Sequence, residues 1–195
     1  MSKLSFKYGA MNSGKSDTLI KTAFNYEERG LQVVTIKPSV DTKGDDLITS
    51  RGGYERPVDI LATPEMDVRQ EVAAQKLARG ALHCVLSDES QFLTHEQIGQ
   101  LFEVAKYDDI SVIAYGLKVD FRAKLFEGSR RLFELADNIE KLPTMCRCNQ
   151  QAEFNIRMVN GKVVFEGDTV AIDGKDEVHY DSLCGSCYVQ EGGQI

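Results

Sequence analysis

The residues best suited to chemistry form a glycine-rich run near the amino terminus. Eight consecutive residues fit the pattern G-x-x-x-x-G-K-S: Gly9, Ala10, Met11, Asn12, Ser13, Gly14, Lys15 and Ser16. In such a run the glycines let backbone N–H groups curl around phosphates, the lysine reaches the β- and γ-phosphate oxygens, and the serine hydroxyl ligates Mg²⁺. The sequence therefore predicts a site for a nucleoside triphosphate and its magnesium ion.

Two adjacent carboxylates follow an apolar run in the middle of the chain. The run from Ala81 to Leu86 leads through a serine to Asp88 and Glu89, which predicts both carboxylates at the carboxyl end of a buried strand, where open α/β sheets bind ligands. We expect Asp88 to bind Mg²⁺, directly or through water. Glu89 fits two functions: it polarises a water molecule in an ATPase or accepts the proton of a substrate hydroxyl in a kinase. Spacing alone does not decide between them, and a solvated acidic loop is the alternative without chemistry.

Four of the five cysteines form two pairs in the last third of the chain. They are Cys146 with Cys148 and Cys184 with Cys187. In a reducing compartment such pairs are typical of metal sites, and four thiolates fill the tetrahedral coordination of a structural Zn²⁺. Disulfides or free thiols are the alternative. The fifth cysteine, Cys84, lies alone in an apolar run and is predicted to be in the core.

The composition limits the class of protein. A chain of 195 residues, 42% of them hydrophobic, can bury one substantial core and a small additional module. Because 23 Lys and Arg face 30 Asp and Glu, the net charge of −7 argues against binding nucleic acid through an extended phosphate-contacting surface. The segment Met1–Tyr8 is too short and broken for a signal peptide, and no apolar run approaches membrane-spanning length. We expect a cytoplasmic protein that binds neither nucleic acid nor membrane.

The elements that must position these residues alternate between strand and helix. Leu4–Tyr8 has strand periodicity before the glycine-rich run, and a helical pattern follows from Lys15 to about Arg29, where Gly30 ends it. Further strands are predicted at Gln32–Lys37, Ala81–Ser87 and Ile110–Tyr115, and further helices near Glu65–Arg79 and His95–Tyr107. This order predicts an α/β fold in which helices cover both faces of a mostly parallel sheet.

The sequence pattern changes after about Leu142. Two short strand-like runs, Glu153–Val159 and Lys162–Phe165, are joined by Asn160 and Gly161, a strong signal for a two-residue hairpin. We therefore predict two units, a P-loop domain of residues 1–142 and a small zinc-stapled β module of residues 143–195. The stretch Asp41–Tyr54, rich in Gly, Asp and Thr, is predicted to be a mobile loop.

Four segments, taken in order along the chain, carry a family resemblance. They are the glycine-rich run at 9–16, Asp-Glu-Ser-Gln-Phe at 88–92, Gly-Leu-Lys-Val-Asp-Phe-Arg at 116–122 and the carboxyl-terminal cysteine module. Together they resemble the cellular-type (type II) thymidine kinases. The resemblance implies a RecA-like P-loop domain followed by a zinc-bound lasso. It also implies Mg²⁺-dependent transfer of the ATP γ-phosphoryl group to the 5′-hydroxyl of thymidine and deoxyuridine, giving dTMP for DNA precursor salvage.

The resemblance also implies roles for individual residues. It makes Glu89 the general base on the 5′-hydroxyl, leaves Asp88 with the magnesium ion, and adds Gln91 to the ATP- and phosphate-binding residues. It lines the nucleoside pocket with Met11, Phe92, Leu117, Phe121, Phe126 and the lasso residue Tyr180, for which ordinary core or strand packing is the alternative. Feedback inhibition by dTTP and a homotetramer are expected on the same ground.

The chain departs from the family pattern at four places. Cys146-Arg147-Cys148 stands where the family usually has Cys-x-x-Cys, Lys43 where an arginine is common, Arg51 where a histidine is frequent, and Asp173-Gly174 where the lasso usually has two glycines.

Two other functions fit parts of the same pattern. An ATP-hydrolysing, DNA-handling protein with a zinc ribbon would use Glu89 to activate water, but the basic surface expected of it is missing from the net charge. A nucleotide-binding interaction module without catalysis would leave Lys15, Ser16, Asp88 and Glu89 without a function. Thymidine phosphorylation is therefore the function that the sequence predicts.

Overall fold

The structure, a computed structural model, describes residues 2–41, 44, 46–167 and 178–194. In chain order its elements are β1 (Leu4–Tyr8), α1 (Lys15–Glu27), β2 (Val33–Pro38), β3 (Leu47–Thr49), β4 (Glu55–Pro57), β5 (Ile60–Ala62), α2 (Val68–Arg79), β6 (Cys84–Ser87), a 3₁₀ turn (Ser90–Phe92), α3 (His95–Tyr107), β7 (Ser111–Gly116), α4 (Glu127–Leu135), β8 (Asn138–Lys141), β9 (Phe154–Val159), β10 (Lys162–Val164), β11 (Val178–Leu183) and α5 (Gly185–Gln190). In this part of the chain, no helix is both long enough and apolar enough to span a bilayer.

The main unit is built on a sheet of six strands within the described ranges. The strand order is β5-β2-β6-β7-β1-β8, and every neighbouring pair is parallel. One strand, β7, lies between β1, which precedes the glycine-rich run, and β6, which precedes Asp88. This is the RecA-like arrangement that the family resemblance implied. Because parallel strands end at the same edge of a sheet, it brings the two predicted site segments together.

Helices cover both faces of this sheet. Side chains alternate along β6, so that Val85 packs with α2, α3 and α4 in one apolar cluster, while Cys84 and Leu86 pack with α1 and β3 in another. Cys84 is fully buried, as predicted. The α/β prediction is thereby confirmed, with an apolar layer on each side of the sheet.

The second unit is a three-stranded antiparallel sheet in the order β10-β9-β11. Asn160 and Gly161 join β9 to β10 with φ angles of 50° and 75°. Two successive positive φ angles are what a type I′ hairpin turn requires, which confirms the predicted hairpin. Its apolar cluster includes Ile156, Leu183 and Tyr188 and three of the paired cysteines.

The predicted boundaries differ from the observed ones at several elements. Helix α2 begins at Val68 and not near Glu65, because the Asp67 side chain caps it by accepting a hydrogen bond from the Gln70 amide. The mobile-loop prediction is wrong for β3, which pairs with β4. Residues 42, 43 and 45 of that stretch lie outside the described residues. Strands β4, β5, β8 and β11 and helices α4 and α5 were not predicted.

Core packing in the main unit predicts the effect of a matched pair of leucine substitutions. Leu101 of α3 is fully buried in the cluster against the sheet, whereas Leu77 of α2 is 86% exposed. Leu101→Ala should lower the free energy of unfolding by about 2–5 kcal/mol, because it removes buried methyl groups and leaves a cavity. Leu77→Ala should change it by less than about 0.5 kcal/mol. Urea denaturation of the two variants measures the difference, and equal losses would contradict the described packing.

Candidate active site

The glycine-rich run forms a tight loop between β1 and α1. Asn12 and Gly14 have φ angles of 68° and 72°, in the left-handed region, and these two residues bend the chain into the helix. A Cβ atom on Gly9 would lie 2.3 Å from the Ser13 hydroxyl oxygen and 2.7 Å from the Leu142 carbonyl oxygen. Glycine is therefore required where the loop begins.

The loop presents hydrogen-bond donors and one positive charge. The Lys15 side chain is 8% exposed, and its Nζ donates hydrogen bonds to the Ala10 carbonyl at 3.0 Å and to the Ser13 hydroxyl at 3.4 Å. In the described part of the chain, the amides of Asn12, Ser13 and Gly14 have no hydrogen-bond acceptor. Amides without a partner beside a lysine at the start of a helix form an anion-binding site.

Asp88 lies beside the loop and has an unused oxygen. The Ser16 hydroxyl donates a hydrogen bond to Asp88 Oδ2 at 3.0 Å. The residue is 4% exposed, and its Oδ1 has no hydrogen-bond partner among the described residues. Burial, together with the negative charge of Glu89, raises the pKa of Asp88 to about 7. A buried carboxylate with an open oxygen next to a serine hydroxyl fits a hard divalent cation such as Mg²⁺.

Glu89 is held in place by a chain of hydrogen bonds. Its backbone is left-handed, with a φ of 45°, two residues after the end of β6. Gln91 Nε2 donates to Glu89 Oε2 at 2.5 Å, and the Leu117 amide donates to Gln91 Oε1 at 3.0 Å. Because Gln91 is only 1% exposed and both ends of its amide are used, it fixes the orientation of the Glu89 carboxylate.

A cleft of about 140 Å³ opens at this edge of the sheet. The predicted site residues that line it are Met11, Asn12, Gly14, Lys15, Ser16, Glu89 and Leu117. The other lining residues were not predicted from the sequence: Asp17, Thr49, Ser50 and Arg51. Thr49 ends β3, and Ser50 and Arg51 lie in the turn toward β4. Strand β3 packs against α1. A strand of three residues carries too little periodicity for this packing to be predicted from the sequence.

The remaining predicted nucleoside residues lie outside the lining of this cleft. Phe92 and Phe126 pack edge to face with ring centres 5.5 Å apart. Phe121 is 2% exposed, and the Arg157 guanidinium lies over its ring, with Cζ 4.2 Å from the ring centre. Tyr180 lies on β11 opposite Arg157. Asp173 and Gly174 of the predicted lasso lie outside the described residues.

The four paired cysteines converge on one point of the second unit. Their Sγ atoms all lie within 4.8 Å of one another, with 3.6 Å between Cys146 and Cys148 and 3.5 Å between Cys148 and Cys184. A turn makes the short first pair possible, because the Asn149 amide donates to the Cys146 carbonyl at 2.9 Å and Asn149 has a φ of 65°. Four sulfurs about 2.3 Å from one zinc ion would be about 3.8 Å apart, so the set fits Zn²⁺. Both separations exceed a disulfide bond of about 2.05 Å.

The strand order and the loop between β1 and α1 define the class: a RecA-like P-loop nucleotide-binding protein. Comparison with known proteins gives the family. The chain belongs to the thymidine kinase family, because the family model described as Thymidine kinase matches residues 2–188.

Individual relatives agree with this membership over their whole length. The thymidine kinase of Mannheimia succiniciproducens is 39% identical over 197 residues, covering 100% of this chain and 99% of that protein. Those of Pasteurella multocida and Vibrio cholerae are each 40% identical, over 98% and 100% of both chains. A solved structure, the replication initiator DnaA bound to AMPPCP and single-stranded DNA, is 17% identical with a TM-score of 0.42 over 73% of this chain and 40% of its own. A likeness at that level has no bearing on function.

The unused oxygen of Asp88 predicts a variant that is stabler without ligand. Asp88→Asn removes a buried charge and keeps an acceptor for Ser16, so the apoprotein should melt about 2–6 °C higher, as expected for about 1–2 kcal/mol in a chain of this size. The folded-state pKa of about 7 lies above the ordinary 3.8. Ionisation of Asp88 therefore lowers stability as pH rises between these values, and the full penalty is present above about pH 7.

Thermal melts at pH 8 with a chelator test this expectation. Adding Mg²⁺ and ADP should reverse the order, because the cation that Asp88 is expected to bind would compensate the wild-type charge. A variant that melts at or below the wild-type temperature in chelator would contradict the account of Asp88.

Proposed function

We propose that this chain is a thymidine kinase that transfers the γ-phosphoryl group of ATP to the 5′-hydroxyl of thymidine, and of deoxyuridine, to give the nucleoside monophosphate. One observation carries the proposal: a fixed carboxylate, Glu89, shares a cleft with the phosphate-loop residues Lys15 and Ser16. The chain's relatives of similar length are thymidine kinases. Family membership does not favour the ATP-hydrolysing, DNA-handling alternative.

The phosphate loop is proposed to bind the triphosphate of ATP. The amides of Asn12, Ser13 and Gly14 would receive phosphate oxygens, and the Lys15 ammonium would leave its present acceptors to contact the transferring group. The Ser16 hydroxyl and Asp88 would hold Mg²⁺, which when bound neutralises charge on the β- and γ-phosphates. In this reaction class positioning and charge neutralisation supply most of the rate acceleration.

Glu89 is proposed to be the general base. As the 5′-oxygen forms its bond to the γ-phosphorus, the bond to the β-phosphate oxygen breaks, ADP leaves, and the hydroxyl proton moves to the Glu89 carboxylate. The hydrogen bond from Gln91 supports this role, because it aims one carboxylate oxygen and leaves the other for the substrate. Gln91 is thus proposed to act on the ATP site through Glu89.

Apolar side chains near the base are proposed to hold the nucleoside. Met11 and Leu117 support this, because they line the cleft with Glu89 and the Leu117 amide is tied to Gln91. Phe92 and Phe126, as an edge-to-face pair, together with Phe121 and Tyr180, are proposed to complete the pocket. An apolar enclosure would exclude water and so favour transfer to the nucleoside over hydrolysis.

One Zn²⁺ is proposed to bind Cys146, Cys148, Cys184 and Cys187 and to organise residues 143–195 as a module distinct from the P-loop domain of residues 1–142. The convergence of the sulfurs and the separate apolar cluster of this unit support both proposals. Four thiolates leave no open coordination position, so the ion would have a structural role. Reduced thiols in such a site fit a cytoplasmic enzyme.

Two further properties are proposed from the family resemblance: inhibition by dTTP and assembly as a homotetramer. A triphosphate of the product nucleoside has groups for both the phosphate loop and the nucleoside pocket, so it would compete with both substrates. Product assays with added dTTP and light scattering of purified protein test these two properties.

The proposed base predicts a specific loss in Glu89→Gln. The substitution keeps the shape of the side chain and an acceptor for Gln91 but removes the proton acceptor, so kcat should fall by about two to four orders of magnitude while the Kd for Mg·ADP stays unchanged. Glu96→Gln, at an exposed position of α3, is the matched control and should retain wild-type activity.

Transfer from labelled ATP to a panel of deoxynucleosides provides the measurement. Wild-type transfer should depend on thymidine. Phosphate release without a nucleoside would indicate an ATPase, and a near-normal kcat in Glu89→Gln would remove Glu89 from its proposed role.

The cysteine cluster predicts about one zinc per chain by elemental analysis of reduced protein. Cys148→Ser should lose the metal and expose the second unit to proteolysis, while the P-loop domain still unfolds cooperatively. Cys84→Ala, which removes the cysteine outside the cluster, should keep the metal. Protein without zinc in its reduced form would exclude the proposed site.

A further inference from the structure

The second unit contacts the phosphate loop at Met11 through two hydrogen bonds, and Thr144 Oγ1 donates a third to the Asn12 carbonyl at 3.3 Å. The Met11 amide donates to Asn155 Oδ1 at 2.8 Å, and the Ser182 hydroxyl donates to the Met11 carbonyl at 2.6 Å. Asn155 on β9 and Ser182 on β11 lie directly opposite each other in the antiparallel pairing, and they are 4% and 2% exposed. One cross-strand pair therefore satisfies both backbone polar groups of one loop residue.

The hydrogen bond to Asn155 distinguishes the Met11 amide from the next three amides of the loop. Its amide is already used by Asn155, whereas the amides of Asn12, Ser13 and Gly14 have no acceptor in the described ranges. Amides without acceptors can receive phosphate oxygens, and an amide with a buried partner instead fixes the backbone. The two kinds of amide lie side by side: the Met11 amide is held in a buried hydrogen bond, and the next three amides are left to bind a ligand.

The orientation of the Asn155 amide is itself fixed. Its Nδ2 donates to the Val119 carbonyl at 3.4 Å, which leaves Oδ1 facing Met11. Ser182 stands two residues before Cys184 of the cysteine cluster. Strand β11 therefore connects the cysteine cluster to the backbone of the phosphate loop.

We propose that Asn155 and Ser182 are positioning residues for nucleotide binding, which hold Met11 so that the phosphate loop has its binding shape before the nucleotide arrives. Binding then requires less ordering of the loop, which is the general advantage of a preorganised site. The proposal rests on nucleotide binding by the loop, as in the proposed function, but not on thymidine as the acceptor.

The test measures the Kd of Mg·ADP by calorimetry on the full chain without a nucleoside. Ser182→Ala and Asn155→Ala should each raise this Kd about tenfold, which corresponds to about 1.4 kcal/mol. Because both side chains hold the same residue, the double variant should weaken binding by less than the product of the two single effects.

Two control variants separate positioning from general loss of structure. Ser182→Thr keeps the hydroxyl and should bind Mg·ADP within about threefold of wild type, and so should Ile156→Val, which disturbs the apolar cluster of the same unit without touching Met11. A Kd that is unchanged in both alanine variants, or raised as much by Ile156→Val as by Ser182→Ala, would overturn the proposal.

Hydrogen exchange on the wild-type protein tests the proposal even when a variant does not fold. Without nucleotide the Met11 amide should be protected, while the amides of Asn12, Ser13 and Gly14 should exchange fast and become protected only with Mg·ADP. Exchange at Met11 as fast as at Asn12 would overturn the proposal. A wild-type protein that binds Mg·ADP but does not phosphorylate thymidine would instead remove the proposed acceptor, and the binding ratios would still decide the role of Asn155 and Ser182.

Discussion

The hydrogen bond between the Ser16 hydroxyl and the Asp88 carboxylate joins two segments that are 72 residues apart in sequence. It forms because all six strands of the main sheet are parallel, so the segments that follow β1 and β6 emerge at the same edge. The same edge receives the segment after β7, whose Leu117 amide orients Gln91 and through it Glu89. The phosphate loop, the proposed cation site and the proposed base therefore all depend on the parallel order of the strands, which the helices packed on both faces of the sheet stabilise.

Three features of the cleft at this edge destabilise the protein when no ligand is bound. Asp88 Oδ1 and Asp17 Oδ1 are both buried without a hydrogen-bond partner in the described part of the chain. Glu89 has a left-handed backbone that a side chain of its kind rarely adopts. Each of these features costs stability in the empty site, and such local costs are common where function requires them. The apolar layers on both sides of the sheet supply the stability that offsets them.

The sequence predicted those parts of the fold that have a local signature. The phosphate loop, the strand before Asp88 and the Asn160-Gly161 hairpin each follow from a few adjacent residues. Strands β3, β4 and β5 were not recognised, because three residues do not complete a periodic pattern. Helix α4 was missed for another reason: its N-cap is Phe126, which has no side-chain capping hydrogen bond to mark the start. The hydrogen bond between Met11 and Asn155 joins residues 144 positions apart, and the sequence around either residue carries no signal that predicts it.

The main sheet ends in short strands on both sides. One edge is β5, of three residues, and the other is β8, of four, in which Glu140 forms an ion pair with Lys7 at 2.9 Å. An exposed edge invites pairing with a strand of another molecule, and shortness and charge are the usual defences against it. The two edge strands are thus protected against pairing with another molecule, which is how an open parallel sheet most readily aggregates at high concentration or after partial unfolding.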